Sequence, residues 1–296
     1  MDFISENSFP FEFPKFIPSV TGGFNLDKAV SVYLPLVSDV ALVSYPNATL
    51  NFSHLPEVSY LFIDSGSYGF IKYGGKIISS SDSDYYELIL NFKNKNFRVN
   101  PFELLEFQEK NAFLGFTLDI PYIKNGEYSA LQYLNMSVKN AFAALENKNS
   151  DLKLAASVSF SDNLDDLKDA IKDLVTAEFD MIALGGLVPF FKDFDFMRSI
   201  LDTVKNVCNK PIHIFGAGNP SLVKFLFKNG VSSTDSSSYA RYALEGKLFN
   251  SKKTLRSPSF LEQMNLALLN LAYLTSRPLP LNLTTPLLKN IFPSSE

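Results

Sequence analysis

Eight short apolar runs punctuate the chain, at Phe16–Val20, Val40–Tyr45, Tyr60–Asp64, Phe113–Asp119, Leu152–Val158, Met181–Gly185, Ile212–Gly216 and Val231–Asp235. Several are apolar at nearly every position, the pattern of parallel strands covered on both faces. Between the later runs the period changes to three and four residues. Leu164, Leu167, Ile171 and Leu174 place one apolar stripe along a helix predicted over Asn163–Ala177. Asp195–Val207 and Pro220–Asn229 repeat that pattern, and Gly230 supplies a C-terminal stop. Eight strands alternating with helices predict an α/β fold, a (β/α)8 barrel with its core over about residues 16–250. Residues 65–100 interrupt the alternation and read as a β-hairpin insertion after strand three. Ser259–Ser276 predicts a final amphipathic helix, followed by a Pro-rich tail from Pro278 to Pro293. No linker divides the chain, so one domain over residues 1–296 is expected, with the helix and tail of 255–296 as its extension.

Composition narrows the classes. The chain has 296 residues, enough for one large core, and 28 Phe and 13 Tyr to fill it. A net charge of −4 argues against a uniformly basic nucleic-acid binder but leaves room for a local basic patch. The single cysteine, Cys208, excludes an intramolecular disulfide and a cysteine-rich zinc site. The N-terminal stretch is acidic and broken by proline, unlike a secretory leader, and no apolar run is long enough for a membrane span. The expectation is a cytoplasmic protein (host cytoplasm for a viral chain) with no membrane partner.

Function in a barrel of this kind sits at the C-terminal ends of the strands. Those ends carry Asp64, Asp119, Ser157 or Ser159, Gly185-Gly186, Gly216 and Asp235. Three carboxylates on one mouth could do acid/base or nucleophilic work, although strand-end aspartates also cap helices and form turns. His213, at the start of strand seven, reads as a satisfied structural histidine, and no His/Cys/Asp cluster has metal-ligand spacing. The Gly216–Pro220 segment GAGNP is neither a Walker motif nor a dinucleotide fingerprint.

The same strand ends resemble the tRNA-guanine transglycosylase superfamily. FIDSGSYGF (Phe62–Phe70) resembles its DSGG-aromatic-Gln signature, and FTLDIP (Phe116–Pro121) its strand-four aspartate motif. ALGGL (Ala183–Leu187) is similar to its GGL loop, and HIFGAGNP (His213–Pro220) to its HxxMGxGxP segment with one residue fewer. Asp235, Arg241 and Glu245-Gly246 keep the spacing of its nucleophile segment, and FIPSVT (Phe16–Thr21) is similar to its first strand.

The resemblance implies a base exchange through a covalent aspartyl-glycosyl intermediate, with Asp235 as nucleophile and Asp64 as acid/base. It assigns Asp119 to the base's amidine edge, Gly185, Gly186 and Leu187 to backbone contacts, and Tyr68 and Phe215 to stacking. Ser157 or Ser159 would substitute in part for a missing base-reading glutamine, with Ser159 taken as the site residue. Arg241, Lys247, Lys252 and Lys253, in a stretch with Glu245 as its only acidic residue, would follow a phosphate backbone. No cofactor or metal is required. The family's glutamine after the aromatic is Gly69 here, Ser67 replaces a glycine, and the cysteine-rich zinc segment after strand eight is missing. These departures favour the compact, zinc-less relatives that exchange guanine in DNA for a 7-deazaguanine such as preQ0. The same exchange on tRNA is the alternative, and a non-catalytic nucleic-acid-binding barrel the second alternative. The expected partners are nucleic acid (DNA favoured over tRNA), the 7-deazaguanine base, and a partner protein or a second copy of the chain.

Overall fold

A computed structural model describes residues 9–79, 84–92, 95–123, 126–161 and 163–279. Eleven strands are defined in chain order: β1 Lys15–Pro18, β2 Val40–Ser44, β3 Tyr60–Asp64, β4 Gly75–Ser79, β5 Tyr86–Phe92, β6 Lys95–Val99, β7 Leu114–Phe116, β8 Lys153–Ser159, β9 Met181–Gly185, β10 Ile212–Ile214 and β11 Ser233–Ser236. Eight of them form one parallel sheet in the order β1-β11-β10-β9-β8-β7-β3-β2. Its two ends meet through a single parallel bridge, Ser19 to Leu42, and the Val20 N–H donates to the Leu42 carbonyl at 2.8 Å. The result is the expected (β/α)8 barrel.

Alternation along each strand separates two environments. Ile17, Val40, Leu42, Phe62, Leu114, Phe116, Ala155, Met181 and Ala183 pack against one another inside the barrel. The residues between them, such as Ala41, Val43, Ile63, Leu154, Ala156 and Ile182, pack outward under the helices. At one end of the interior Phe9, Phe11 and Phe13 mesh edge-on, with centroids 5.1–5.6 Å apart, and reach Tyr60, Phe62 and Phe113. This aromatic cluster lies against the N-terminal strand ends. The opposite end is lined by polar side chains.

The helices form where the periodicity predicts them, at Leu164–Thr176, Phe194–Lys205, Pro220–Lys228 and Phe260–Thr275. Capping sets their starts: Asn163, Asp193, Asn219 and Ser259 each accept from backbone N–H groups of the first turn. Gly230 takes φ +86°, the left-handed conformation its stop role needs. The expected insertion is present and larger than a hairpin. A short helix, Tyr68–Tyr73, leads into the antiparallel sheet β4-β5-β6. The expected tail lies outside the described residues beyond Leu279.

Strand four ends earlier than its apolar run. β7 stops at Phe116 because the Thr117 hydroxyl, not a carbonyl, accepts from the Ser157 N–H at 2.9 Å. The break shifts the alternation. Leu118 and Ile120 pack under the helices and Asp119 turns to the mouth, as a bulge re-aims a side chain. Helix Ala130–Asn147 satisfies the freed backbone: the Ser137 hydroxyl accepts from the Ile120 N–H at 2.9 Å, and Asn140 Nδ2 donates to the Leu118 carbonyl at 3.1 Å.

Candidate active site

Continuing each interior row by two residues reaches the polar mouth. Phe62 leads to Asp64, Ser157 to Ser159, Ala183 to Gly185, His213 to Phe215 and Ser233 to Asp235. Strand pairing sets these residues side by side: Ser159 is in register with Gly185, and Ile17 with Asp235.

Asp235 is 6% exposed. A carboxylate so enclosed needs protein donors in place of water. Oδ1 accepts from the Gly216 N–H at 2.9 Å and lies 3.3 Å from His213 Nε2. Oδ2 accepts a short hydrogen bond from the Ser19 hydroxyl. Ser19 is itself positioned from the loop behind it. Buried Asp27 accepts from Thr21 and Gly22, and the Tyr239 hydroxyl donates to the Ser19 carbonyl at 3.1 Å. The GAGNP loop thus holds a carboxylate, not a phosphate: Gly216 takes φ +79° to aim its N–H at Asp235.

Asp64 has one hydrogen bond to its carboxylate, from the Gly66 N–H at 3.1 Å. Part of the residue still touches solvent, but the carboxyl is ringed by protein. Burial therefore pushes it well above the usual carboxylate range, and the charges of Asp235 and then Asp119 push it further. The Gly66 N–H pulls weakly the other way. Burial also raises Asp119, opposed by the hydroxyls of Ser67 and Ser65, the latter 3.0 Å from Oδ1. Asp64 thus lies within electrostatic reach of both other carboxyls, and of the two raised aspartates it is the one with fewer hydrogen bonds and the larger rise.

The remaining expected residues divide by position. Gly185 sits under Asp119, where a Cβ would lie 3.0 Å from Oδ2; Gly186 takes φ +77°. Leu187 buries its side chain among the helix-side core, so only its backbone is offered at this turn. The Ser159 hydroxyl accepts from the Tyr122 N–H at 2.8 Å, while Ser157 Oγ is buried without a partner one row below. Phe215 is half-buried, packed on Phe116 at 4.9 Å and on His213 at 4.7 Å. Tyr68 is 58% exposed on the first turn of its helix, which rules out a core-packing role. Arg241, Lys252 and Lys253 are exposed beyond β11, and Lys247 pairs with Glu245 at 2.6 Å.

Two residues that touch Asp235 had no place among the expected site residues. Ser19 follows strand one and His213 starts strand seven, and neither has a sequence neighbour that points to a carboxylate. The signal for His213 was its in-phase position, two residues before Phe215 on an interior row.

The chain matches proteins of one known family. A family model described as queuine tRNA-ribosyltransferase matches residues 49–280. The chain is 28% identical over 211 residues to a tRNA-guanine(15) transglycosylase of Methanococcus aeolicus, covering 68% of this chain and 31% of that protein. It is 27% identical over 236 residues to the protein so named from Methanocaldococcus jannaschii, covering 76% and 35%. With that of Pyrobaculum aerophilum it shares 26% over 204 residues, covering 66% and 37%. The chain spans about a third of the length of these relatives. With a family match running across six of the eight barrel strands, over a span that includes Asp64, Asp119 and Asp235, the chain belongs to the queuine tRNA-ribosyltransferase family.

Proposed function

We propose that the chain exchanges guanine for a 7-deazaguanine at a nucleoside of tRNA, with Asp235 as nucleophile and Asp64 as acid and then base. The observation that carries the reading is the electrostatics of Asp64: its carboxyl is raised by burial and by Asp235 and Asp119 together. A neutral acid beside an enclosed carboxylate is the pairing a retaining glycosyl transfer needs. Asp235 forms a bond to C1′ as the C1′–N9 bond breaks, and the base leaves with the proton of Asp64. The incoming base gives a proton back to Asp64 and displaces the carboxylate. Asp119, beside Gly185, reads the base edge, because a wrong base leaves its desolvated oxygens unpaired. Phe215 and Tyr68 stack the base, and Arg241, Lys252 and Lys253 follow the phosphates. The chemistry asks for no cofactor.

The expected DNA preference rested on the missing zinc segment. The tRNA alternative draws on the matched relatives, which are named for guanine 15 of tRNA, and on a family description that names tRNA. The test is labelled-guanine exchange run in parallel on tRNA, duplex DNA and single-stranded DNA, with adducts resolved on denaturing gels. Exchange and an adduct are expected on tRNA, and Asp235→Asn should lower exchange by at least about 10³-fold and abolish the adduct. Unchanged exchange in Asp235→Asn would remove Asp235 as nucleophile. Exchange confined to DNA would overturn the tRNA assignment.

A further inference from the structure

We infer that His213 and the Gly216 N–H form a two-donor cradle for Oδ1 of Asp235, which makes Oδ2 the attacking atom and His213 a positioning residue for the return half of the reaction. The inference rests on Asp235 being the nucleophile, as proposed above, and adds a division of labour between its two oxygens.

The division is visible in the partners. Oδ1 is bound by groups that have little freedom. The Gly216 N–H belongs to a loop backbone, and the His213 ring is fully buried, wedged against Phe116 at 4.9 Å and Phe215 at 4.7 Å. The Nδ1 atom lies 2.8 Å from the Ser233 hydroxyl, on the strand that carries Asp235. A carboxylate only accepts, so Nε2 must carry the hydrogen that faces Oδ1 at 3.3 Å. In the neutral ring Nδ1 is an acceptor, and the Ser233 hydroxyl donates to it. Ser233, His213 and Asp235 thus form one directed chain of hydrogen bonds across neighbouring strands. Oδ2, in contrast, is met by the Ser19 hydroxyl, which one bond rotation can swing away. The fixed oxygen is held and the releasable one can react.

The consequence is asymmetric between the two half-reactions. In the glycosyl ester, Oδ2 is bonded to C1′ and Oδ1 is the carbonyl oxygen. When the incoming base attacks, the Oδ2–C1′ bond breaks and its electron pair returns to the carboxylate, spreading onto Oδ1. Donors already aimed at Oδ1 stabilise that charge as it develops. They make Asp235 a slightly poorer nucleophile and a much better leaving group. Loss of one such charge-assisted bond corresponds to roughly 10- to 100-fold in rate.

The test compares His213→Phe, which fills the space without a donor, with His213→Gln, which keeps one. His213→Phe should slow overall exchange about 10- to 100-fold while the fraction of enzyme trapped as covalent adduct rises; His213→Gln should recover part of the rate. Exchange and adduct falling in parallel, or neither changing, would overturn the cradle. A second measurement needs neither catalysis nor these variants. The chain has only two histidines, His54 and His213, so ¹⁵N-histidine labelling with His54→Gln isolates the buried ring. The hydrogen should reside on Nε2, and Ser233→Ala should shift the Nδ1 resonance; a hydrogen on Nδ1 alone would refute the chain. A wild-type protein that exchanges no base with any nucleic acid, yet shows the Nε2–H signal, would sink the proposed function and keep the cradle.

Discussion

At the residue scale, the proposed exchange turns on the protonation of Asp64. Burial and two neighbouring carboxylates raise its folded value, so the neutral form is the one the fold prefers. Its favourable contribution is therefore fully present at or below the ordinary carboxylate range. It is lost as pH rises through the raised folded value, where a charge must be held beside Asp235 and Asp119. Asp64→Asn lacks that penalty. Denaturant unfolding at pH 5 and pH 8 should show the variant gaining on wild type as pH rises. A gap that stays flat with pH would mean that Asp64 titrates as an ordinary surface carboxylate. Guanine exchange by the same variant should fall about 10²–10⁴-fold.

At the scale of elements, the site depends on how irregular backbone is satisfied next to regular strands. β3 and β7 pair over only Phe62–Leu114 and Ile63–Gly115. Buried Gln108 spans the gap, donating from Nε2 to the Ile63 carbonyl at 2.8 Å and the Phe116 carbonyl at 2.9 Å. Asn140 does similar work on the next turn. It accepts from the Tyr86 N–H at 2.7 Å and donates to the carbonyls of Tyr86 and Leu118, joining the inserted sheet to the segment that carries Asp119. Asn140→Ala would leave buried backbone groups unpaired, at about 1–3 kcal/mol for each group water does not reach. Urea titration should register a loss of at least about 2 kcal/mol. A loss under about 0.5 kcal/mol, the range of an ordinary surface change, would show that the insertion is not anchored there.

At the scale of the whole molecule, aromatic packing among the described residues fills one end of the barrel. The Phe9–Phe11–Phe13 cluster packs on Tyr60, Phe62 and Phe113 at the N-terminal strand ends, and the carboxylates lie at the opposite ends. Phe11 touches most of those rings and is 8% exposed. Phe11→Ala should cost about 3 kcal/mol in denaturant unfolding, as large-to-small changes in aromatic cores do. A near-neutral result would mean that this segment only rests on the barrel. Among the described residues, no helix is long and apolar enough to cross a membrane.

Much of this arrangement was legible in the chain itself, because apolar runs covered on both faces and stripes at helical spacing report local environment. The alternation put Asp64, Asp119 and Asp235 at strand ends, and the neighbouring motifs pointed to the family. Tertiary structure alone decided the long-range partners of Asp119 and Asp235. Ser19 reaches Asp235 across 216 positions because the barrel closes β1 against β11. His213 meets Asp235 because parallel pairing sets β10 beside β11. Asp119 faces the mouth because one threonine hydroxyl breaks a ladder. Spacing along a sequence encodes which face a residue takes, but long-range neighbours, and the fields that tune a carboxylate, exist only once the sheet has closed.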